Sequence, residues 1–338
     1  MFTYTTQIRV NLEVLAQEVE SLKRAYRSLD PTEELRKERS NSALKEVRSA
    51  FSRYNNLYHF YNRIIQNEGK NNIPIVKEFG DGSVLIDVKA SAKGNSARVY
   101  FTPSVTSLTK EVRKAIVPIN DGNVFVYSDI KAAEFALRCI QAGDHASVQT
   151  YEQGDDIYMT RSNLFPQGTS REIIKRTLIA SMYGKTPYST ALDLGISEGA
   201  ADYLLTNIEH NFRHLTELKR KIISVDRTKG GYYSPNGFDQ TDLIKVADID
   251  PVKGFNVNLA WSVYTQSALG FLMQKFSKIL LKHQGSVNQT FLSIFDSVVV
   301  EINPNSYDRF VNFASKAMSP LKFDEFKVGR TMYKAMYE

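Results

Sequence analysis

The stretch VFVYSDI, Val124–Ile130, decides the reading of this chain: it is apolar, β-branched or aromatic up to an aspartate, then gives way to the helix formers AAEFALRCIQA. That change of composition predicts a strand that ends on Asp129 and feeds directly into a helix. A second stretch, TFLSIFDSVVVEI (Thr290–Ile302), reads as two short strand-like runs meeting at Phe295-Asp296-Ser297, which puts a second aspartate at a strand turn. Two carboxylates that can meet on one sheet offer the hard oxygen donors that Mg2+ takes, alongside waters and phosphate oxygens. A pair of such ions suits phosphoryl transfer, one activating the attacking hydroxyl and the other stabilising the leaving group.

Between the two lies TSREIIKRTLIASMYGK, Thr169–Lys185. Thr169 and Glu172 have the spacing of a capping box, and Arg171, Lys175, Ile179 and Tyr183 follow at intervals of four. Four residues turn a helix by about 400°, so these side chains form one slowly rotating stripe. It starts with two cations near the positive end of the helix dipole, which suits a triphosphate, and ends on an aromatic residue before Gly184.

Residues 8 to 70 carry helix-type patterning, broken at Asp30-Pro31, which predicts two long helices; Gly69 to Ser96, around VLIDV, predicts a short strand pair. Helical patterning runs from Ala132 to about Ile223, KGGYYSPNGFDQ reads as a hairpin around Asn236-Gly237, and a helix follows from about Leu259 to His283. The 338 residues hold 43 Lys and Arg against 37 Asp and Glu, a charge of +6 that suits a polyanionic partner. The single cysteine, Cys139, excludes an intramolecular disulfide, and no run of about 18 apolar residues suggests a membrane span. A cytoplasmic protein with no membrane partner is expected. His210 and His214, four apart on an expected helix, lack a third metal ligand of matching spacing. The aromatics Tyr54, Tyr58, Phe60 and Tyr61 are expected in the core.

Taken together, these segments resemble the family A DNA polymerases, the group of bacterial DNA polymerase I and the bacteriophage replicative enzymes, from about Ser96 onward. SDIKAAEF resembles motif A with Asp129 and Glu134, REIIKRTLIASMYG resembles motif B with Arg171, Lys175, Tyr183 and Gly184 in register, and IFDSVVVEI resembles motif C with Asp296. Lesser likenesses keep the family's order: Arg98 in SAR, EVRKAIVP, Tyr158 in GDDIY, Gln266 in TQSALGFL, and VGRTMY near the end. The resemblance implies an α+β right-hand fold with an antiparallel palm sheet, helical fingers and a short helical thumb. Its expected divisions are a helical thumb-like lobe at 1–95, palm with motif A at 96–141, fingers at 142–240 and palm with motif C at 241–338.

The resemblance implies a template-directed DNA polymerase that adds dNTPs to a primer 3′ end. Two Mg2+ ions, with Mn2+ as a substitute, would be held by Asp129, Ile130 and Asp296, with Lys175 also catalytic. Glu134, Tyr158, Arg171, Lys175, Ile179 and Tyr183 would bind the nucleotide, Glu134 as a gate against the ribose 2′ hydroxyl, and Arg98 and Gln266 would hold the DNA. Ile179 stands where the family has an aromatic residue, which shifts sugar discrimination onto Glu134, and Phe295 and Ser297 replace the histidine and glutamate around Asp296. No proofreading domain is expected, so either the enzyme does not proofread or a separate exonuclease or processivity subunit joins primer-template and dNTPs as a partner, as in a reduced enzyme of a bacteriophage or mobile element. Two alternatives stay open: an RNA-synthesising polymerase or primase, to which Ile179 and Ser297 point, and a non-catalytic DNA-binding subunit.

Overall fold

The computed structural model describes residues 2–29, 42–66, 72–92, 97–105, 115–228, 232–233, 244–245, 257–284, 290–318, 322–323, 326–327 and 331–333. The chain opens with a strand, β1 (Thr3–Asn11), followed by helices α1 (Leu12–Ser28) and α2 (Ser42–Ile65). This corrects the expectation of helix from residue 8 and of a purely helical first lobe. TYTTQIRVN is rich in β-branched residues and, with Ile8 and Val10 buried, alternates at the strand period rather than the helical one. Asn11 then stops the strand and caps α1 by accepting from the Val14 amide.

β1 runs antiparallel to β3 (Ser83–Ala92) over its whole length, from Thr3 opposite Ser91 to Asn11 opposite Ser83. β2 (Ile75–Glu78) and β4 (Val99–Thr102) share the far edge of β3, and β5 (Ile116–Val117) borders β1, giving a five-stranded sheet. The expected strand pair is therefore part of a larger sheet that runs across position 95. Helices α1 and α2 pack together, with Leu15, Val19 and Leu22 of one and Leu57, Phe60 and Ile64 of the other in the same core as the sheet. Of the aromatics expected there, Phe60 is buried and Tyr54 and Tyr61 pack against the core, but Tyr58 is exposed.

The second sheet is built on β6 (Val124–Asp129), which pairs on one side with β10 (Ser297–Ile302) and on the other with β13 (Thr331–Tyr333); β9 (Phe291–Ile294) pairs with β10. Along β10, Val298 and Val300 face a helical core while Val299 faces the core of the first sheet. Phe125 and Val126 of β6 divide in the same way. The second sheet is thus a middle layer buried on both faces, which explains why its strands read as continuous apolar runs. The Phe291 amide donates to Thr6 at 2.9 Å and the Ser293 amide to the Tyr4 hydroxyl at 3.2 Å, tying β9 to β1.

The helical layer comprises α3 (Ala133–Ala142), α4 (His145–Glu152), a 3-10 turn (Met159–Leu164), α5 (Arg171–Met182), α6 (Pro187–Leu194), α7 (Glu198–Asn211), α8 (Arg213–Thr228) and the long α9 (Val257–Gln284). His210 and His214 fall on α7 and α8, on either side of a break at Phe212, not on one helix. Cys139 is fully buried on α3. Short strands β7 (Tyr232–Tyr233) and β8 (Ile244–Lys245) do pair, but Tyr233 stands opposite Ile244 rather than opposite Gln240 as a two-residue turn on Asn236-Gly237 requires; Asn236-Gly237 itself lies outside the described residues. Helix α10 (Tyr307–Met318) and the pair β11 (Lys322–Phe323) and β12 (Phe326–Lys327) complete the chain. Of the segments singled out in sequence, Asp30-Pro31, residues 69–71, residues 93–96, residues 111–114 and residues 328–330 are outside the described residues. Among those described, no helix is long and apolar enough to cross a membrane.

Candidate active site

Asp129 is the last residue of β6, and the antiparallel register sets it opposite Ser297, immediately after Asp296. The Ile130 amide donates to the Asp296 carbonyl at 3.1 Å, so the strand exit and the hairpin turn are stapled together. The two aspartates expected to meet do meet. Both are half-buried. Burial, then the neighbouring charge of Asp296, pushes the Asp129 carboxyl up to about 7, with Lys175 opposing. Burial likewise raises Asp296, against the pull of its own backbone hydrogen bond, Lys175 and Arg98.

Backbone strain gathers around this pair. Among the described residues, three other than glycine have positive φ: Ala97 at 52°, Ala132 at 50° and Phe295 at 54°. They adjoin Arg98, the Asp129–Glu134 turn and Asp296 respectively, the kind of clustering that strained conformations make at functional positions. The two-residue turn at Phe295-Asp296 would suit Asn-Gly on local grounds; instead it holds an aromatic ring about half exposed, with the Arg98 guanidinium 5.1 Å from its centroid. Gln274 of α9 donates to the Ala97 carbonyl at 2.7 Å and so fixes the backbone beside Arg98, a link between distant segments that no local pattern announces.

Helix α5 lies beside the aspartates. Its N-cap is Ser170, whose hydroxyl accepts from the Ile173 amide; this corrects the expected Thr169 cap, because the Thr169 hydroxyl instead donates to the Pro166 carbonyl at 2.7 Å. Along the helix, Arg171 forms an ion pair with Asp156, which also accepts from the amides of Tyr158 and Met159. Asp156 is a site residue that sequence reasoning does not single out, although its place two before Tyr158 is an Asx-turn signal. Tyr158 is buried with its ring 5.8 Å from both the Arg171 guanidinium and the Lys175 ammonium, and packs edge-on against Phe135. Burial raises its hydroxyl, helped by the nearby charges of Glu134, Asp156 and Asp296, while Arg171 opposes.

The exposed side of α5 borders an open cleft of about 860 Å3 lined by Arg171, Lys175, Arg176, Ile179, Tyr183 and Lys185. Arg176 and Lys185 both pair with Asp193, and Arg171 with Asp156. Lys175 makes no ion pair among the described residues, and its charge bears on both aspartates. Tyr183 caps the end of α5 against the Arg138 guanidinium, 4.4 Å from the ring centroid, and Gly184 follows at φ 82°, a left-handed turn that leads the chain away. Glu134, in the first turn of α3, is held by Arg138 at 3.4 Å. Gln266 is half-buried on α9 and is not joined to this group by any hydrogen bond or ion pair among the described residues.

Two half-buried carboxylates held side by side, compensated in part by Lys175 and Arg98, fit a hard divalent cation. Among the described residues no group of three or more His, Cys, Asp or Glu side chains could hold a metal. An ion here would therefore rest on Asp129, Asp296, a backbone carbonyl such as that of Ile130, waters and substrate oxygens. The Ile130 carbonyl already accepts from the Ala133 amide at 3.2 Å, which leaves one lone pair for an ion.

No protein-family model matches the chain, and no curated protein matches it. Among solved structures, the POL domain of Pol1 from M. smegmatis, in complex with DNA primer-template and dNTP, matches with a TM-score of 0.74 at 14% identity, over 97% of this chain and 67% of that one. The fold is that of a polymerase domain. At this identity the likeness establishes the α+β architecture, mixing helices with antiparallel sheets, and the functional argument rests on the chain's own residues.

Proposed function

We propose that this chain is a template-directed DNA polymerase of the family A type, adding dNTPs to a primer 3′ end. The observation that carries this reading is the juxtaposition of Asp129 and Asp296 across the β6–β10 register, with Lys175 of α5, which makes no ion pair among the described residues, near enough to offset both charges. In this reading the second sheet is the palm, α4 to α8 form the fingers and α1 with α2 the thumb.

Asp129, Asp296 and the Ile130 carbonyl would hold Mg2+, or Mn2+ in its place, which when bound lowers the pKa of the primer hydroxyl and neutralises charge on the leaving pyrophosphate. Arg171 and Lys175 bind the triphosphate as fixed cations on the first turns of α5, where the helix dipole adds to their field. Lys175 stands where charge builds on the transferring phosphoryl group, and a preorganised cation there counts for more than in water. Ile179 and Tyr183 offer apolar and aromatic surface to the sugar and base. Tyr158 forms the buried floor under the two cations. Arg98, stacked on Phe295 beside Asp296, contacts the primer strand, and Gln266 the duplex behind it. Movement of α5 over a bound nucleotide would exclude water and align the phosphate.

The test is primer extension on a DNA template with Mg2+, supplying dNTPs or NTPs separately, for the native chain and for Asp129→Ala and Asp296→Ala. Extension with dNTPs that both substitutions abolish supports the reading. Extension with NTPs alone would assign an RNA-synthesising enzyme, and duplex binding without extension would assign a non-catalytic subunit.

A further inference from the structure

Helix α3 follows Asp129 and is buried on almost every side: Phe135, Ala136, Leu137, Cys139 and Ile140 are each 3% exposed or less. A cation breaks this apolar run. Arg138 is 0% exposed, so its guanidinium has left water altogether. Its Nε donates to the Thr265 hydroxyl of α9 at 3.0 Å, and one terminal nitrogen donates to Oε1 of Glu134 at 3.4 Å. Its plane lies near two aromatic rings, Tyr183 at 4.4 Å and Trp261 at 5.1 Å. The other terminal nitrogen has no partner among the described residues, nor do the Tyr183 hydroxyl and the Trp261 indole N–H.

As a stabilising device this arrangement is poor. A buried ion pair is often no better than an apolar substitute of the same volume, and an unsatisfied guanidinium N–H adds a further cost. What Arg138 does uniquely is join three elements at one point. It grips the carboxylate at the start of α3, the aromatic cap at the end of α5, and α9 through Thr265 and Trp261. Of those contacts, Tyr183 lines the cleft along α5, and Glu134, with its side chain 24% exposed, sits in the first turn after Asp129 and bears by its charge on Tyr158, which lies against Arg171 and Lys175 of that helix.

We infer that Arg138 is a positioning residue for sugar selection, holding the Glu134 carboxylate in one orientation while its guanidinium lies against Tyr183. The inference rests on the polymerase reading above. A 2′ hydroxyl both donates and accepts hydrogen bonds. A carboxylate free to turn would accept from that hydroxyl and welcome a ribonucleotide; one held by Arg138 cannot turn to meet it and excludes the extra oxygen. With Ile179 in the helix stripe in place of an aromatic ring, this fixed carboxylate is the main polar group guarding the sugar.

The experiment compares kcat/KM for a dNTP and its ribonucleotide counterpart opposite one template base, in the native chain, Arg138→Met, Glu134→Gln and the double variant, with melting temperatures alongside. The native chain is expected to prefer the dNTP, and Arg138→Met to reduce that preference roughly tenfold, the scale of one charge-assisted hydrogen bond. The shift should come mainly through a lower KM for the ribonucleotide. The double variant should discriminate no worse than Glu134→Gln alone. A melting temperature that falls while the preference stays unchanged would reduce Arg138 to a structural role and overturn the inference. If Arg138→Met does not fold, Thr265→Val, which removes the Nε partner, must shift the preference in the same direction by a smaller factor; no shift overturns the inference. A native chain that extends with dNTPs and NTPs equally would also overturn it, leaving the polymerase reading intact. A native chain that extends with neither overturns both.

Discussion

Two regions of this protein, the networks that tie the strands together and the edge of the second sheet beside the cleft, treat buried charge in opposite ways. In the first, Arg9 of β1 is almost fully buried, yet each nitrogen is used: Nε donates to Ser83, one terminal nitrogen to Asp81, and the other to Asp121 and two backbone carbonyls, with the Phe79 ring 4.0 Å away. At the helical edge of the second sheet, one nitrogen of Arg138 has no partner among the described residues. Carboxylates show the same contrast. Glu301, fully buried on β10, accepts from the amides of Asn120 and Thr290 and from both the Asn120 and Asn123 side chains. Five positions earlier on the same hairpin, Asp296 faces another carboxylate. Satisfied networks hold a fold; unsatisfied charges and strained turns in an otherwise well-packed molecule mark where something is meant to bind.

The sharpest way to break this contrast is to remove Lys175, the cation between the two aspartates and the proposed triphosphate. Lys175→Met is expected to lower kcat by roughly 100- to 1,000-fold, the range for losing one preorganised electrostatic contact, with little change in melting temperature. A drop below threefold, measured by single-nucleotide incorporation, would remove it from the chemistry. Glu301→Ala should do the reverse. It strands four donors in the interior and is expected to cost about 3 kcal/mol of stability in chemical denaturation, whereas kcat of the folded fraction stays near native. Loss of less than about 1 kcal/mol would mean that water satisfies the site.

A smaller effect is expected at the turn. Asn tolerates the left-handed region far better than Phe, so Phe295→Asn should relieve strain at φ 54° and raise stability by up to about 1 kcal/mol, offset in part by the lost Arg98 stacking. If the ring contacts nucleic acid, primer affinity should fall in the same variant. A variant that gains stability with unchanged affinity would make Phe295 a tolerated irregularity.

Much of the site is legible in the amino-acid sequence. The change from β-branched residues to helix formers marks Asp129, the interrupted strand run marks Asp296, and the four-residue spacing marks the α5 stripe, because each signal is local. The strand at residues 3–11 is harder to see: its Ile8 and Val10 run on into the amphipathic pattern of α1, so a window across both reads as one helix. Arg138, Gln274 and Asp156 escape the sequence for a different reason. Their roles depend on partners 127, 177 and 15 residues away, contacts that no sequence period encodes.

The central claim is that Asp129 and Asp296 are held together against their mutual repulsion because a metal-assisted reaction needs them there. In the metal-free protein the folded state holds the Asp129 carboxyl near 7, above its ordinary 3.8. This group therefore costs stability as pH rises from about 4 through 7, and the full cost is present at pH 8. The most direct measurement is melting temperature in chelator at pH 5 and pH 8, with primer extension in Mg2+, for the native chain and Asp129→Asn. After allowing for solvent screening of a half-buried group, the account expects Asp129→Asn to be more stable by about 1–2 kcal/mol at pH 8, less so at pH 5, and inactive in extension. An Asp129→Asn protein that extends primers like the native chain, or that is less stable at pH 8, would contradict it.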